Sequence, residues 1–244
     1  MLVSSYCASN TSCPFSYFPL QVISSSLLAM ATLIDILLGV KLQNCDVDST
    51  STEKRSLSKV RSTTLSSAEA AFCMHKCFLD VLKSKSAVIR SATYSLLTSY
   101  IKHVPHVFDE ETMKKLSPTI LGAFHEKDAS CHSSMWDTIL VFSRKFPEAW
   151  SYCNIHKVVL SRFWNFLQNG CYGSKQISYP RLVQFLDSIP LKAVMGQQFV
   201  FDFLHNLWDG RNQRQLSAAD SLAFCIAFKH IFLWLLENVS RYPF

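Results

Sequence analysis

An all-α solenoid of stacked helix pairs is the fold class the sequence predicts, on three observations. The chain of 244 residues is 49% hydrophobic and 17% charged, apolar enough to bury a sizeable core and to exclude wholesale disorder. Its 6 Gly and 8 Pro leave few turn breakers, which favours long helices over many short strands. A block of sequence also returns after 42 residues without a gap.

Residues 1–19 are rich in Ser, Cys and aromatics without a period, so no element is expected there. Residues 20–42 are read as an apolar helix, with helical periodicity from Gln21 to Val40. This stretch has the length of a signal anchor. No basic residue precedes it, however, while Asp35 and the Ser24-Ser25-Ser26 run interrupt it, which favours a buried helix over a membrane span. Residues 43–66 turn polar, with Ser, Thr, Lys and Arg dominating, and are expected to be a flexible linker. From residue 67 to 244 the pattern is helix pairs. Ser66-Ser67-Ala68-Glu69 has the capping-box form, in which Ser and Glu each satisfy an orphan backbone donor.

The repeat lays residues 83–108 over 125–150. Lys85 falls on Lys127, Ser86 on Asp128, Tyr94 on Trp136, Pro105 on Pro147 and Phe108 on Trp150. The preceding residues keep the shift, with Leu79 on Leu121 and Leu82 on Phe124. Ser86 and Asp128 are suited to cap a helix start, and Pro105 and Pro147 to stop that helix, because proline cannot extend the hydrogen-bond ladder. One such helix pair cannot bury its apolar face alone, so neighbours must stack. A period near 42 belongs to the HEAT/armadillo class. Pro118 falls in the first helix of its pair, where a bend is expected.

Later elements are less regular. Ile155–Gln168 reads as one amphipathic helix with Ile155, Val159, Phe163, Phe166 and Leu167 on one side. Residues 169–179 form a longer connection, and Pro180 opens the next helix. Residues 195–209 and 217–240 make a further pair, the last helix long, aromatic and expected to pack inside the stack.

Candidate chemistry is sparse. Cys73 and Cys77 share a helix face but His75 does not, and Cys131-His132 starts a different helix; a structural zinc wants four ligands together. The nine cysteines are read as reduced thiols, with Cys77 and Cys225 buried in apolar helices and Cys171 in a loop. His103 and His106 flank Pro105 beside valines, while Asp109 and Glu110 more plausibly open the next helix than serve as catalytic partners. No phosphate-cradling glycine loop occurs. The net charge of +6 is modest, and Lys54, Arg55, Lys59 and Arg61 contribute to it from the polar segment.

Several stretches resemble listerin, the large RING-type E3 ubiquitin ligase family of ribosome-associated quality control, in its plant form. They include Gln21–Ala29, Ser86–Ser95, Ile120–Phe124, Cys131–Asp137, Arg162–Leu167, Phe203–Asn212, Phe232–Trp234 and Ser240–Tyr242. The resemblance implies a piece of the N-terminal HEAT-repeat arm, in the cytosol, whose partners are the 60S ribosomal subunit and associated quality-control factors. The family's RING binds zinc and recruits an E2. This sequence has no Cys/His series with RING spacing, so no cofactor, no E2 contact, no small-molecule substrate and no ligase activity are expected of the chain alone. A generic HEAT adaptor that binds a protein is the competing expectation, and a membrane partner is not expected. Candidate ribosome contacts are cations at turns between helices: Lys83, Lys85 and Arg90 at one junction, Lys114 and Lys115 at another.

Overall fold

A computed structural model describes residues 19–39, 51–72, 75–169, 179–194, 197–212 and 218–237. These residues contain helices and turns but no strand, so the chain is all-α. It divides into two compact units, Met1–Thr112 and Met113–Phe244.

In the first unit, α1 (Leu20–Gly39) packs on α2 (Ser51–Phe72) and on α4 (Ala87–His103), with the short α3 (His75–Val81) also against α4. Helix α1 is long and apolar enough to cross a membrane, but Ile23, Leu27, Ala31, Ile34 and Leu38 form a stripe at helical spacing buried in the unit. Its Asp35 carboxylate accepts from His103 Nε2 of α4 at 3.1 Å. Helix α1 thus buries one face in this unit, while Val22, Leu28, Leu33 and Ile36 on its other sides are exposed.

The linker expected over residues 43–66 is corrected from residue 51 onward, since Ser51–Phe72 is one helix. Its polar composition misled because the helix is anchored only late: Ala68 and Phe72 are buried, whereas residues 58–63 are exposed. The expectation for residues 1–18 lies outside the described residues, as do those for 40–50 and the loop at Cys171.

The second unit begins within α5 (Glu110–Leu121) and continues through α6 (Ala129–Lys145), α7 (Ser161–Gln168), α8 (Tyr179–Ser188), α9 (Leu191–Val194), α10 (Gln197–Asn212) and α11 (Ala218–Glu237). Helix α6 packs on α8, α7 on α10, and α8 on α11. The core is aromatic. Phe124 is fully buried, with its ring centroid 4.9–5.7 Å from those of Trp136, Phe163, Phe166 and Phe185. Pro118 lies inside α5 as the sequence suggests. Gly122 follows that helix, and a Cβ there would meet the Pro118 carbonyl oxygen at 2.6 Å, so the close return of the chain requires glycine.

Two expectations change in this unit. Ile155–Gln168 is not one uniform helix: Ile155–Leu160 is a π-helical turn, and α7 proper starts at Ser161. The wider turn keeps Val159, Phe163, Phe166 and Leu167 buried while Ile155 is only half-buried. Helix α11 is not enclosed. It buries Phe224, Ile231 and Leu235, but Leu222, Ile226, Phe232, Leu233 and Leu236 are exposed. Cys225 is exposed as well, against the expectation of a buried thiol, because the buried stripe passes through its neighbour Phe224. The side chain of Cys77 lies outside the described residues.

The 42-residue repeat is real in backbone detail. Helices α4 and α6 are both 17 residues long, and both start after an extended residue, Ser86 (φ −80, ψ 117) and Asp128 (φ −86, ψ 118). They end with Val104 N–H donating to Tyr100 O and Phe146 N–H to Phe142 O, and a 3₁₀ turn opens at Pro105 in one copy and Pro147 in the other. The proline acts as predicted: it has no N–H for the helix to use and becomes the first residue of the tighter turn.

Candidate interaction surface

The repeat extends to the junctions where the candidate cations sit. Ser84 N–H donates to Val81 O at 3.0 Å, and Glu126 N–H to Ala123 O at 3.0 Å. The side chains of Ser84 and Glu126 then accept from the N–H groups of Ser86 and Asp128, at 3.2 and 3.0 Å. Finally Arg90 Nη1 donates to Ser84 O at 2.7 Å, and His132 Nε2 is 3.1 Å from Glu126 O. Different side chains at equivalent positions thus engage the same carbonyl, which an approaching helix end would otherwise leave without a donor.

This geometry separates the candidate contacts. Arg90 is half-buried and closes its own junction, so it is a positioning residue there. Lys83 is exposed and pairs at 4.0 Å with exposed Asp80, a solvent-screened contact of little energetic weight. Lys85, one residue before the cap, is exposed. In the second unit Lys114 and Lys115 lie inside α5 and not on a turn as expected; exposed Lys114 holds its ammonium 5.9 Å from the Tyr152 ring centroid, and Lys115 is half-buried. Lys83 and Lys85 present their charge most openly, on the turn between α3 and α4.

The other sequence candidates resolve into structural roles. His103 pairs with Asp35, and His106 Nε2 lies 2.6 Å from Glu69 Oε1, so the two histidines beside Pro105 staple α1 and α2 to the end of α4. Both carboxylates are distant in sequence, so spacing did not reveal them. Asp109 Oδ1 accepts from Thr112 N–H at 2.8 Å and so opens α5, as expected. Cys131 is buried. Cys153 is half-buried with its Sγ 3.7 Å from Trp150 O, and burial pushes its thiol up to about 11, which keeps it protonated and unreactive near neutral pH. Among the described residues no three His, Cys, Asp or Glu side chains are grouped to hold a metal ion. The side-chain question at Cys73, His75 and Cys77 lies outside the described residues.

Helix pairs punctuated by proline and packed around aromatic cores define an all-α helical-repeat protein. The particular family follows from comparison. The domain described as E3 ubiquitin-protein ligase listerin, N-terminal domain, matches residues 19–189, more than half of the chain, and the chain belongs to that family. It is similar to listerin of Xenopus tropicalis, 24% identical over 143 residues, a stretch that is 58% of this chain and 8% of that protein. Listerin of Mus musculus is 25% identical over 134 residues, 54% of this chain and 8% of the mouse protein. Listerin of Gallus gallus is 25% identical over 108 residues, 44% of this chain and 6% of the chicken protein. The matches therefore occupy under a tenth of the length of these relatives. No solved structure matches the chain.

Proposed function

We propose that this chain is a HEAT-like scaffold segment of a listerin-type E3 ubiquitin ligase. In that role it helps hold the ligase in the cytosol on 60S ribosomal subunits that carry stalled nascent chains. The match to the listerin N-terminal domain over residues 19–189 carries this reading. The repeat-related helix boundaries of α4 and α6 support it, because recurring helix units are the building blocks of a scaffold. Ubiquitin transfer, the E2 and the zinc-dependent RING belong in this proposal to other parts of the ligase, and this segment takes no cofactor.

Lys83 and Lys85 are the proposed ribosome contacts of the first unit, and Lys114 and Lys115 those of the second, with Arg90 holding the α3–α4 turn in place. Reversing charge at Lys83→Glu and Lys85→Glu tests the reading. Co-sedimentation with 60S subunits at low salt should fall several-fold while the circular dichroism spectrum stays helical, since neutralised phosphates release counterions. Unchanged co-sedimentation would remove the ribosome contact from this turn. A second reading, a protein-binding adaptor, is favoured by the exposed apolar residues of α11, Leu222, Ile226 and Leu236 among them.

A further inference from the structure

Helix α11 carries two apolar stripes, and its own unit buries one of them. Phe224, Ile231 and Leu235 are buried, and half-buried Phe228 lies on the same side. The rings of Phe224 and Phe228 stand 5.9 and 5.4 Å from that of Trp208 on α10. The second stripe runs along the opposite side. Leu222, Ile226, Leu233 and Leu236 there are 42–63% exposed. A helix apolar on opposite sides is the kind that becomes covered on both.

The spacing of the outer stripe says what fits it. Positions 222, 226, 229, 233 and 236 are separated by 4, 3, 4 and 3 residues, the a/d rhythm of helices that pack side by side. At about 100° and 1.5 Å per residue they share an arc of roughly 80° and run for about 21 Å. Ile226 and Leu233 take the a places, and Leu222 and Leu236 the two outer d places. Exposed Phe232 widens the seam on one flank, and exposed His230 and Glu237 border the other.

The middle d place holds Lys229, which is exposed and paired with no carboxylate among the described residues. This one residue discriminates between partners. If two copies of α11 met along the whole seam, Lys229 would face Lys229 in either direction, and like charges brought together at an interface repel. A helix with a carboxylate at that place gains a charge pair instead, and a single charged seam position also fixes the register.

From this pattern we propose that the outer seam of α11 docks an amphipathic helix of another protein. The apolar a/d residues of that helix meet Leu222, Ile226, Leu233 and Leu236, and one central Asp or Glu meets Lys229. The inference deepens the adaptor reading of α11 and rests on it. That reading asks only for a protein at these residues, whereas the seam specifies a helix and the sign of its charge.

The test uses the full chain and two synthetic helical peptides of about three heptads, with Leu and Ile at a and d and polar residues elsewhere. One carries Glu at the central d place and the other Lys, and each is kept below the concentration at which it self-associates. The Glu peptide should bind at least about tenfold tighter than the Lys peptide at low salt, and the gap should narrow as salt screens the pair. Lys229→Glu should reverse the order. Ile226→Asp combined with Leu233→Asp should abolish binding of both peptides while the circular dichroism spectrum stays helical, since the buried stripe is untouched. Equal binding of the two peptides, or an unchanged order with Lys229→Glu, overturns the charge-matched helix and leaves the adaptor reading standing. Binding of neither peptide overturns the inference. So does self-association of the chain, or attachment to phosphatidylcholine vesicles, that the double aspartate variant abolishes, because the face would then belong to a second copy or a membrane surface.

Discussion

Helices α4 and α6 are two versions of one design, and they differ most where their cores are built. In the first copy Tyr100 is fully buried and its hydroxyl donates to Ala68 O at 3.0 Å. The equivalent residue in the second copy is Phe142, equally buried and without a hydroxyl to satisfy. Leu82 precedes α4 as a buried aliphatic residue, whereas its counterpart Phe124 is the centre of an aromatic cluster. The backbone frame is held by capping and proline, which tolerate this exchange. The core contents vary between the copies at a polar cost that is not always met, since Trp150 Nε1, introduced where the first copy has Phe108, is buried without a hydrogen-bond partner.

The largest expected effect comes from that aromatic centre. Phe124→Ala should cost about 3–5 kcal/mol, and Leu82→Ala less, near the lower end of about 2–5 kcal/mol. Urea unfolding combined with hydrogen exchange resolved along the chain would measure both, because two units need not unfold together. Equal losses at the two positions would mean that the aromatic cluster adds nothing to the second copy.

The hydroxyl exchange is the sharper test. Phe142→Tyr adds a hydroxyl at a fully buried position and should cost about 1–3 kcal/mol if it meets no acceptor. Tyr100→Phe removes one satisfied hydrogen bond and should cost about 1 kcal/mol. Burial holds the Tyr100 phenol far above its ordinary range, so the hydroxyl stays a donor at any pH used for the measurement. If Phe142→Tyr were neutral, the second copy would have room or a partner that the present packing hides.

Capping gives the smallest effect. Asp128 accepts from Ser130 N–H at 3.0 Å, while Ser86 makes no side-chain cap bond. Asp128→Ala should therefore cost about 1 kcal/mol and Ser86→Ala only a few tenths. Ser86→Asp should stabilise the first copy toward the second. Matching losses for the two alanine variants in thermal melts would show that the equivalence of the two helix starts outweighs the difference in their side chains.

These contrasts mark what could be read early and what could not. The fold class and the repeat were legible because the cap, the proline and the apolar spacing act over a few residues. The candidate surface was legible only in part. Lys83 and Lys85 stand on the turn as expected, but Arg90, identical to them as a formal charge, is turned inward onto Ser84 O. Nothing in local sequence distinguishes a solvated cation from one recruited by a carbonyl. Nor did spacing reveal the pairing of His103 with Asp35 or His106 with Glu69, each joining residues far apart along the chain.

By itself, then, the sequence determined an all-α chain, the 42-residue period and the places where α4 and α6 start and stop. Each of these depends on backbone groups satisfied by near neighbours, so a short window carries the information. Tertiary structure alone decided that residues 51–63 belong to α2 in place of a linker, that Ile155–Leu160 widens into a π turn, and that α11 leaves Cys225, Leu222, Ile226, Phe232, Leu233 and Leu236 exposed. Those outcomes turn on which surfaces meet across the chain. An apolar side chain carries the same hydrophobic driving force in either position, and only the presence or absence of a neighbour determines whether that force is realised.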